Sequence, residues 1–285
     1  MQLISKILDQ KLSENALINT RNSNKKLEIC EICGEETQML IDFKSFGGEK
    51  IVSRSCKCER EKREAEEQAK LNAEKMQRIE ELKSLSLLGK RYENATFSST
   101  LESQNLEFNK AFNRCKKYCK VWENVLKNGQ GIYLYGNSGT GKTHITACIA
   151  NELMKNLIPA LFTSLFEISK SVKSTFNKHS IKTEQNLINQ FSQIEFLIFD
   201  DLGTEIFTKN TEDTWIQGLL YNLVNSRYNA NRPTIFTSNY SLKNLVESRG
   251  ISEKTVDRIY EMTEGACLHI GGESARGKFR RELPF

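Results

Sequence analysis

Gly136-Asn137-Ser138-Gly139-Thr140-Gly141-Lys142-Thr143 is a complete G-x-x-x-x-G-K-[ST]. It follows the apolar run Gly131-Ile132-Tyr133-Leu134-Tyr135, which reads as a strand, and opens the stretch Lys142 to Leu157, which reads as a helix. Glycines let the backbone curl so that successive N–H groups point at phosphate oxygens, and the helix N-terminus adds positive potential. Lys142 carries a charge to the β- and γ-phosphates, and the Thr143 hydroxyl can ligand Mg2+. Gly136 through Thr143, with His144 directly after them, are the expected ATP-binding stretch. A chance glycine-rich turn before a helix is the bland alternative, and it explains neither the full match nor the strand–loop–helix order.

Such a loop needs an acid at the end of another strand. Phe196-Leu197-Ile198-Phe199-Asp200-Asp201 supplies it, an apolar strand running into two carboxylates. Asp200 is expected in the magnesium shell with Thr143, and Asp201 as the group that polarises the attacking water. Two acids at a solvated strand boundary are the alternative. The next strand ends Phe236-Thr237-Ser238-Asn239, and Asn239 is expected to orient that water, an Asx turn being the other reading of Asn-Tyr-Ser.

Outward from these motifs the pattern alternates. Strands are expected at 131–135, 159–163, 196–199, 234–237 and 266–270, with helices between them such as 212–228 and 252–261. That order predicts an α/β fold, a P-loop NTPase with a parallel five-stranded sheet covered by helices on both faces. Upstream, residues 59–88 hold neither Pro nor Gly and are dominated by Glu, Lys, Arg, Ala and Gln, with a favourable Glu74–Arg78 spacing. A helix of about 30 residues spans roughly 45 Å. Its apolar positions keep no clean heptad, which favours a solvated connector over a coiled coil. The division expected is 1–58, 59–89 and 90–285.

Composition narrows the class. No apolar run approaches the roughly 20 residues of a spanning helix, and the start lacks a charged cap with an apolar core, so no membrane association and a cytoplasmic location are expected. The net charge of +5, from 41 basic and 36 acidic residues, tolerates nucleic acid without requiring it. Eight cysteines without a leader point to reduced thiols. Four of them form two close pairs, Cys30-x2-Cys33 and Cys56-x-Cys58. Four thiolates converging on one ion suit a structural tetrahedral Zn2+, and a segment this short has too little core to fold unaided. Free thiols or a redox pair are the alternatives. Cys115, Cys119, Cys148 and Cys267 are expected to be buried as small hydrophobes. His144, His179 and His269 lack metal-ligand spacing.

The P-loop, the run Asp200-Asp201-Leu202-Gly203, the segment Arg232 to Asn239 and the late Gly272-Glu273-Ser274-Ala275-Arg276 together resemble the AAA+ ATPases of bacterial replicative-helicase loaders, the DnaC/DnaI type, with the transposition ATPase IstB a close relative. The resemblance covers about residues 90–281. It implies that Arg258 is an arginine finger presented to the neighbouring subunit and that Arg276 is a second sensor contacting phosphate from its own subunit. It also implies that Tyr92 and Phe97 lie near the adenine. Lys254 stands where loaders often have a further arginine and lacks its planar fork. The cysteine cluster and charged linker resemble the loaders' helicase-binding region.

Between the second and third strands, Lys173, Phe176 and Lys178 combine charge with a ring, as a single-strand binder needs. The loader resemblance makes this the DNA-contacting turn; an amphipathic helix with Phe176 in the core is the alternative. The function expected is an ATPase that loads the replicative DNA helicase onto single-stranded DNA and self-associates with ATP. An IstB-like transposition regulator, or a binding module switched by ATP with negligible turnover, are the rival expectations.

Overall fold

The computed structural model describes residues 27–42, 49–90, 92–100, 105–174, 184–205, 207 and 211–274. The chain divides into two compact units at Lys70/Leu71. In the first, β1 (Gln38–Asp42) and β2 (Glu49–Ser53) form an antiparallel hairpin with Met39 opposite Val52 and Leu40 opposite Ile51. The division falls inside α1 (Lys57–Leu85), a helix of 29 residues in which only Ile79 and Leu82 are buried. Its first turns carry the exposed (i, i+4) pairs Lys57–Glu61 and Lys62–Glu66, which contribute a few tenths of a kcal/mol each. Arg78 pairs with Glu195 at 3.9 Å, both in the second unit, and not with the expected Glu74.

The second unit is built on a five-stranded parallel sheet in the order β4-β5-β6-β3-β7. The strands are β3 (Ile132–Tyr135), β4 (Ala160–Thr163), β5 (Phe196–Leu202), β6 (Thr234–Ser238) and β7 (Cys267–His269). Helices α2 (Leu106–Lys120), α3 (Trp122–Asn128), α4 (Lys142–Lys155), α5 (Leu165–Lys173), α6 (Glu184–Gln193), α7 (Thr211–Asn229), α8 (Leu242–Glu247) and α9 (Glu253–Met262) pack around it. Polar N-caps start several of them: the side chains of Asn105, Ser164, Ser241 and Ser252 each accept a backbone N–H of the first turn.

Strand periodicity explains why these runs are apolar throughout. Side chains alternate across the sheet, so Tyr133, Leu197, Phe199 and Phe236 enter one core with α5, α6, α7 and α9. Ile132, Leu134, Phe196, Ile198 and Ile235 enter the other with α2 and α4. A parallel sheet covered on both faces requires apolar residues at both parities. Cys115, Cys119 and Cys148 lie in the second core, as expected.

Two expectations are corrected. Cys267 is exposed, not buried: β7 is an edge strand on which only Leu268 faces the core, leaving Cys267 and His269 outward. The third predicted strand does not stop at Phe199. β5 continues to Leu202 through a register shift between Phe199 and Leu202, with Asp201 in the left-handed region at φ 58°.

Candidate functional site

The phosphate loop joins β3 to α4. A Cβ at Gly136 would stand 2.1 Å from the Ile270 carbonyl oxygen, and one at Gly139 would stand 2.1 Å from Ser274 Oγ. Both glycines also have positive φ, so the loop's path against residues 270–274 excludes any side chain there. Thr140 Oγ1 closes the loop by donating to the Asn137 carbonyl at 2.9 Å. Lys142 heads α4 with its side chain folded into the loop, 6% exposed. Its ammonium donates to the carbonyls of Gly136 at 2.7 Å and Asn137 at 2.8 Å, and to Asn239 Oδ1 at 2.9 Å.

The two acids meet this loop from β5. Thr143 Oγ1 lies 3.3 and 3.4 Å from the Asp200 carboxylate oxygens. Burial pushes the Asp200 carboxyl above its usual range; the Thr237 and Thr143 hydroxyls and the Lys142 charge oppose that rise, and Asp201 adds to it. Thr237 Oγ1 donates to Asp200 Oδ1 at 2.7 Å and accepts the Asp201 N–H at 2.8 Å. Asn239 Nδ2 donates to Asp201 Oδ1 at 3.3 Å, while Ser238 Oγ holds the Leu202 carbonyl at 2.6 Å. A hydroxyl and a carboxylate this close, under a lysine-lined loop, are the hard oxygen donors that Mg2+ takes. Asp201 keeps an exposed side chain at the same end of the sheet.

The structure thus gathers Gly136 through Thr143, Asp200, Asp201 and Asn239 into one hydrogen-bonded group. His144, next in the chain, places its Nε2 2.8 Å from Thr100 Oγ1 and 3.8 Å from Cys148 Sγ. The Tyr92 ring is 6.4 Å from His144, and Phe97 packs edge-on to Phe112 at 5.2 Å within the second core. Arg258 on α9 stacks on Tyr228 at 4.5 Å and pairs with Glu261 at 3.1 Å, contacts that include no P-loop residue. Lys173 pairs with Glu212 and lies 5.4 Å from the Trp215 ring centre. Phe176, Lys178 and Arg276 lie outside the described residues.

Two features were not read from the sequence. Thr237 is one; its signal was the polar triplet Thr237-Ser238-Asn239 closing an apolar strand. The other is a clamp on Gly271, whose N–H donates to Glu107 Oε2 and whose carbonyl accepts from Asn105 Nδ2, both at 2.5 Å. No spacing rule links residues more than 160 positions apart.

The cysteines form a second candidate site in the first unit. Cys30, Cys33, Cys56 and Cys58 place their four sulfurs within 4.8 Å of one another. Gly34, at φ 70°, returns its N–H to the Cys30 carbonyl at 2.8 Å and makes the knuckle turn. Sulfurs around a tetrahedral zinc lie about 3.8 Å apart, given bonds of about 2.3 Å, and the pairs Cys30–Cys58 and Cys56–Cys58 stand at 3.3 and 3.1 Å. The Cys30 thiol is drawn down to about 6, first by the backbone at Cys33 and then by that at Ile32. Cys58 is pushed up, first by the Cys56 and then by the Cys30 sulfur. A divalent cation is what would let all four ionise together.

The family described as IstB-like ATP binding protein matches residues 51–283. The replicative helicase loader DnaC of Buchnera aphidicola subsp. Baizongia pistaciae is 29% identical over 136 residues, 48% of this chain and 52% of that protein. The chain therefore spans about half the length of that relative. The replicative helicase loader DnaI of Bacillus subtilis is 26% identical over 284 residues, 95% of this chain and 86% of that protein. A crystal structure of the DnaC helicase loader matches with a TM-score of 0.54 at 24% identity, covering 65% of this chain and all of that one, which is a likeness of fold. With a complete phosphate loop, Asp200 hydrogen-bonded to its Thr143, and a match over residues 51–283, the chain belongs to the IstB-like ATP binding protein family.

Proposed function

We propose that this chain is an ATPase that loads a replicative DNA helicase onto single-stranded DNA. The observation that carries this reading is the DnaI relative, named a replicative helicase loader, which aligns with 95% of the chain and so includes the cysteine cluster as well as the P-loop unit. In this reading residues 1–58 bind the helicase, 59–89 are a linker and 90–285 form the ATPase. Zinc held by Cys30, Cys33, Cys56 and Cys58 supplies the folding energy of a segment without a core of its own.

The chain's own residues divide the ATPase work. Loop N–H groups of Gly136 through Thr143 hold the phosphates, and Lys142 exchanges its carbonyl partners for phosphate oxygens. Thr143 and Asp200 hold Mg2+, which neutralises charge on the β- and γ-phosphates when bound. Asp201 accepts a hydrogen bond from the lytic water, and Asn239 fixes the Asp201 carboxylate. Arg258 completes the neighbour's site after ATP-dependent self-association, and Arg276 acts in its own. Lys173, Phe176 and Lys178 contact single-stranded DNA. No helix among the described residues is long and apolar enough to cross a membrane, and a loader acts in the cytoplasm.

The family description favours one second reading, an IstB-like transposition regulator acting on duplex DNA with a transposase. Incubating the full chain with ATP and either a replicative helicase on single-stranded DNA or a transposase on duplex DNA separates the two. The loader reading expects capture of the helicase, and deposition of the helicase on the strand, only with ATP. Exclusive capture of transposase overturns it.

A further inference from the structure

We infer that Thr237 is the positioning residue that turns both carboxylates of the Asp200-Asp201 pair toward the phosphate loop, an inference that rests on the ATPase reading above. β5 pairs Phe199 with Phe236 and then Leu202 with Ser238. Between these two rungs, β5 places Asp200 and Asp201 opposite the single residue Thr237. That two-against-one count is a β-bulge.

The bulge has a chemical consequence. In a regular strand successive side chains point to opposite faces, so an Asp-Asp pair would send one acid to each side of the sheet. Here both join the same group: Asp200 meets Thr143, and Asp201 meets Asn239, which itself accepts from Lys142. The irregularity is what brings the second acid around, and it puts Asp201 at φ 58°, a conformation non-glycine residues seldom adopt.

Something must hold that conformation, and the Thr237 hydroxyl has the necessary valence. It accepts the Asp201 N–H at 2.8 Å, standing in for the ladder bond that the bulge removes. It donates its own proton to Asp200 Oδ1 at 2.7 Å. One oxygen therefore fixes the backbone of one acid and the side chain of the other. The residue is 1% exposed, so no water replaces it freely. Ser238, bonded to the Leu202 carbonyl at 2.6 Å, closes the bulge behind it.

The test compares Thr237→Val, which keeps the shape and removes the hydroxyl, with Thr237→Ser, which keeps the hydroxyl. Affinity for a fluorescent ATP analogue is measured in EDTA and across a Mg2+ titration, beside turnover and thermal melting. Thr237→Val should bind the analogue in EDTA like the wild type. It should need about tenfold more Mg2+ for the metal-dependent gain in affinity and lose at least about tenfold in turnover, the scale of one hydrogen bond to a charged group. Thr237→Ser should restore both. A folded Thr237→Val with wild-type Mg2+ dependence and turnover overturns the inference.

Residue-resolved hydrogen exchange on the wild-type chain keeps it testable if the valine variant does not fold. A slowly exchanging Asp201 amide supports the hydroxyl bond, and exchange at the rate of an open loop overturns it. If the wild type itself neither responds to Mg2+ nor turns over ATP, the ATPase reading fails. The Asp201 amide then still decides whether Thr237 holds the bulge.

Discussion

Asn239 bridges Lys142 and Asp201: its Oδ1 accepts from Lys142 Nζ at 2.9 Å and its Nδ2 donates to Asp201 Oδ1 at 3.3 Å. A side-chain amide is suited to this, since it has an acceptor and donors on one rigid plane. The ammonium proposed to bind phosphate and the acid proposed to polarise water are thereby set at one spacing. Asn239→Ala leaves Lys142 its two loop carbonyls, so ATP affinity should change by only a few-fold. Hydrolysis should fall by about 10–100-fold, as for loss of a hydrogen bond to a charged group. Nucleotide titration beside phosphate release checks this; an equal loss in both would make Asn239 a binding residue.

Lys142→Ala removes an ammonium that is nearly buried and bonded to the loop carbonyls of Gly136 and Asn137. ATP affinity should drop by roughly 2–5 kcal/mol, the cost of truncating one partner of a buried charged pair. Asp201→Asn, which keeps the volume of an exposed side chain, should instead bind ATP nearly normally and hydrolyse it slowly. Calorimetric titration of both variants decides the matter, and wild-type binding by Lys142→Ala would remove the phosphate-loop assignment.

Local chemistry and the parallel sheet that carries it were legible, whereas the irregularities of individual strands were not. A phosphate loop must carry glycines and lysine in a fixed order, so its residues announce themselves. The same holds for an apolar strand that runs into acids. The bulge left no trace, because a two-against-one pairing is a relation between β5 and β6 and changes no residue type. Cys267 misled for a related reason: its neighbours are apolar, but β7 is an edge strand and exposes one parity. Arg227 was missed altogether, since an arginine among Asn225, Ser226 and Tyr228 resembles any exposed helical turn.

Arg227 is fully buried, and its hydrogen bonds among the described residues go to one hydroxyl and four backbone carbonyls. Nε donates to Thr234 Oγ1, Nη1 to the carbonyls of Phe191, Ser192 and Ile194, and Nη2 to that of Pro233. The guanidinium thus caps the end of α6 and ties it to the starts of β5 and β6. Burial first, then Arg232, draws its pKa down to about 9, which leaves it charged at neutral pH. Arg227→Met should cost about 3–5 kcal/mol by leaving several buried acceptors unpaired. Arg227→Lys should recover little, because three donors on one nitrogen cannot span those carbonyls. Urea unfolding measures both, and a loss below about 1 kcal/mol would show that the staple is dispensable.

Removing metal should affect the two units differently. The cysteine cluster and hairpin belong to the first unit, while every residue of the phosphate loop belongs to the second. Chelation, or Cys30→Ser with Cys33→Ser, should therefore abolish order around residues 27–58 and leave ATP binding intact. Proteolysis in that region, followed beside nucleotide titration, gives the readout. Freshly purified chain lacking stoichiometric zinc by metal analysis would sink the zinc assignment.

Arg258 offers the most discriminating experiment on assembly. Within one chain it stacks on Tyr228 and pairs with Glu261, an exposed (i, i+3) contact that is energetically weak. A finger that acts in trans must be able to leave such a contact for a neighbour's phosphate. Arg258→Ala should then keep its own ATP affinity and hydrolyse poorly, since a finger in well-studied cases supplies about 10³–10⁵ in rate. A slow ATPase would lose less. Mixing this variant with Lys142→Ala separates trans from cis action. The first brings a working site without a finger, and the second brings a finger without a working site. In a mixed assembly some interfaces pair a working site with a working finger, so activity should exceed that of either variant alone. The mixture must be shown to co-assemble with ATP and single-stranded DNA, by light scattering for example. Co-assembly without recovery of activity would return Arg258 to an ordinary surface ion pair with Glu261.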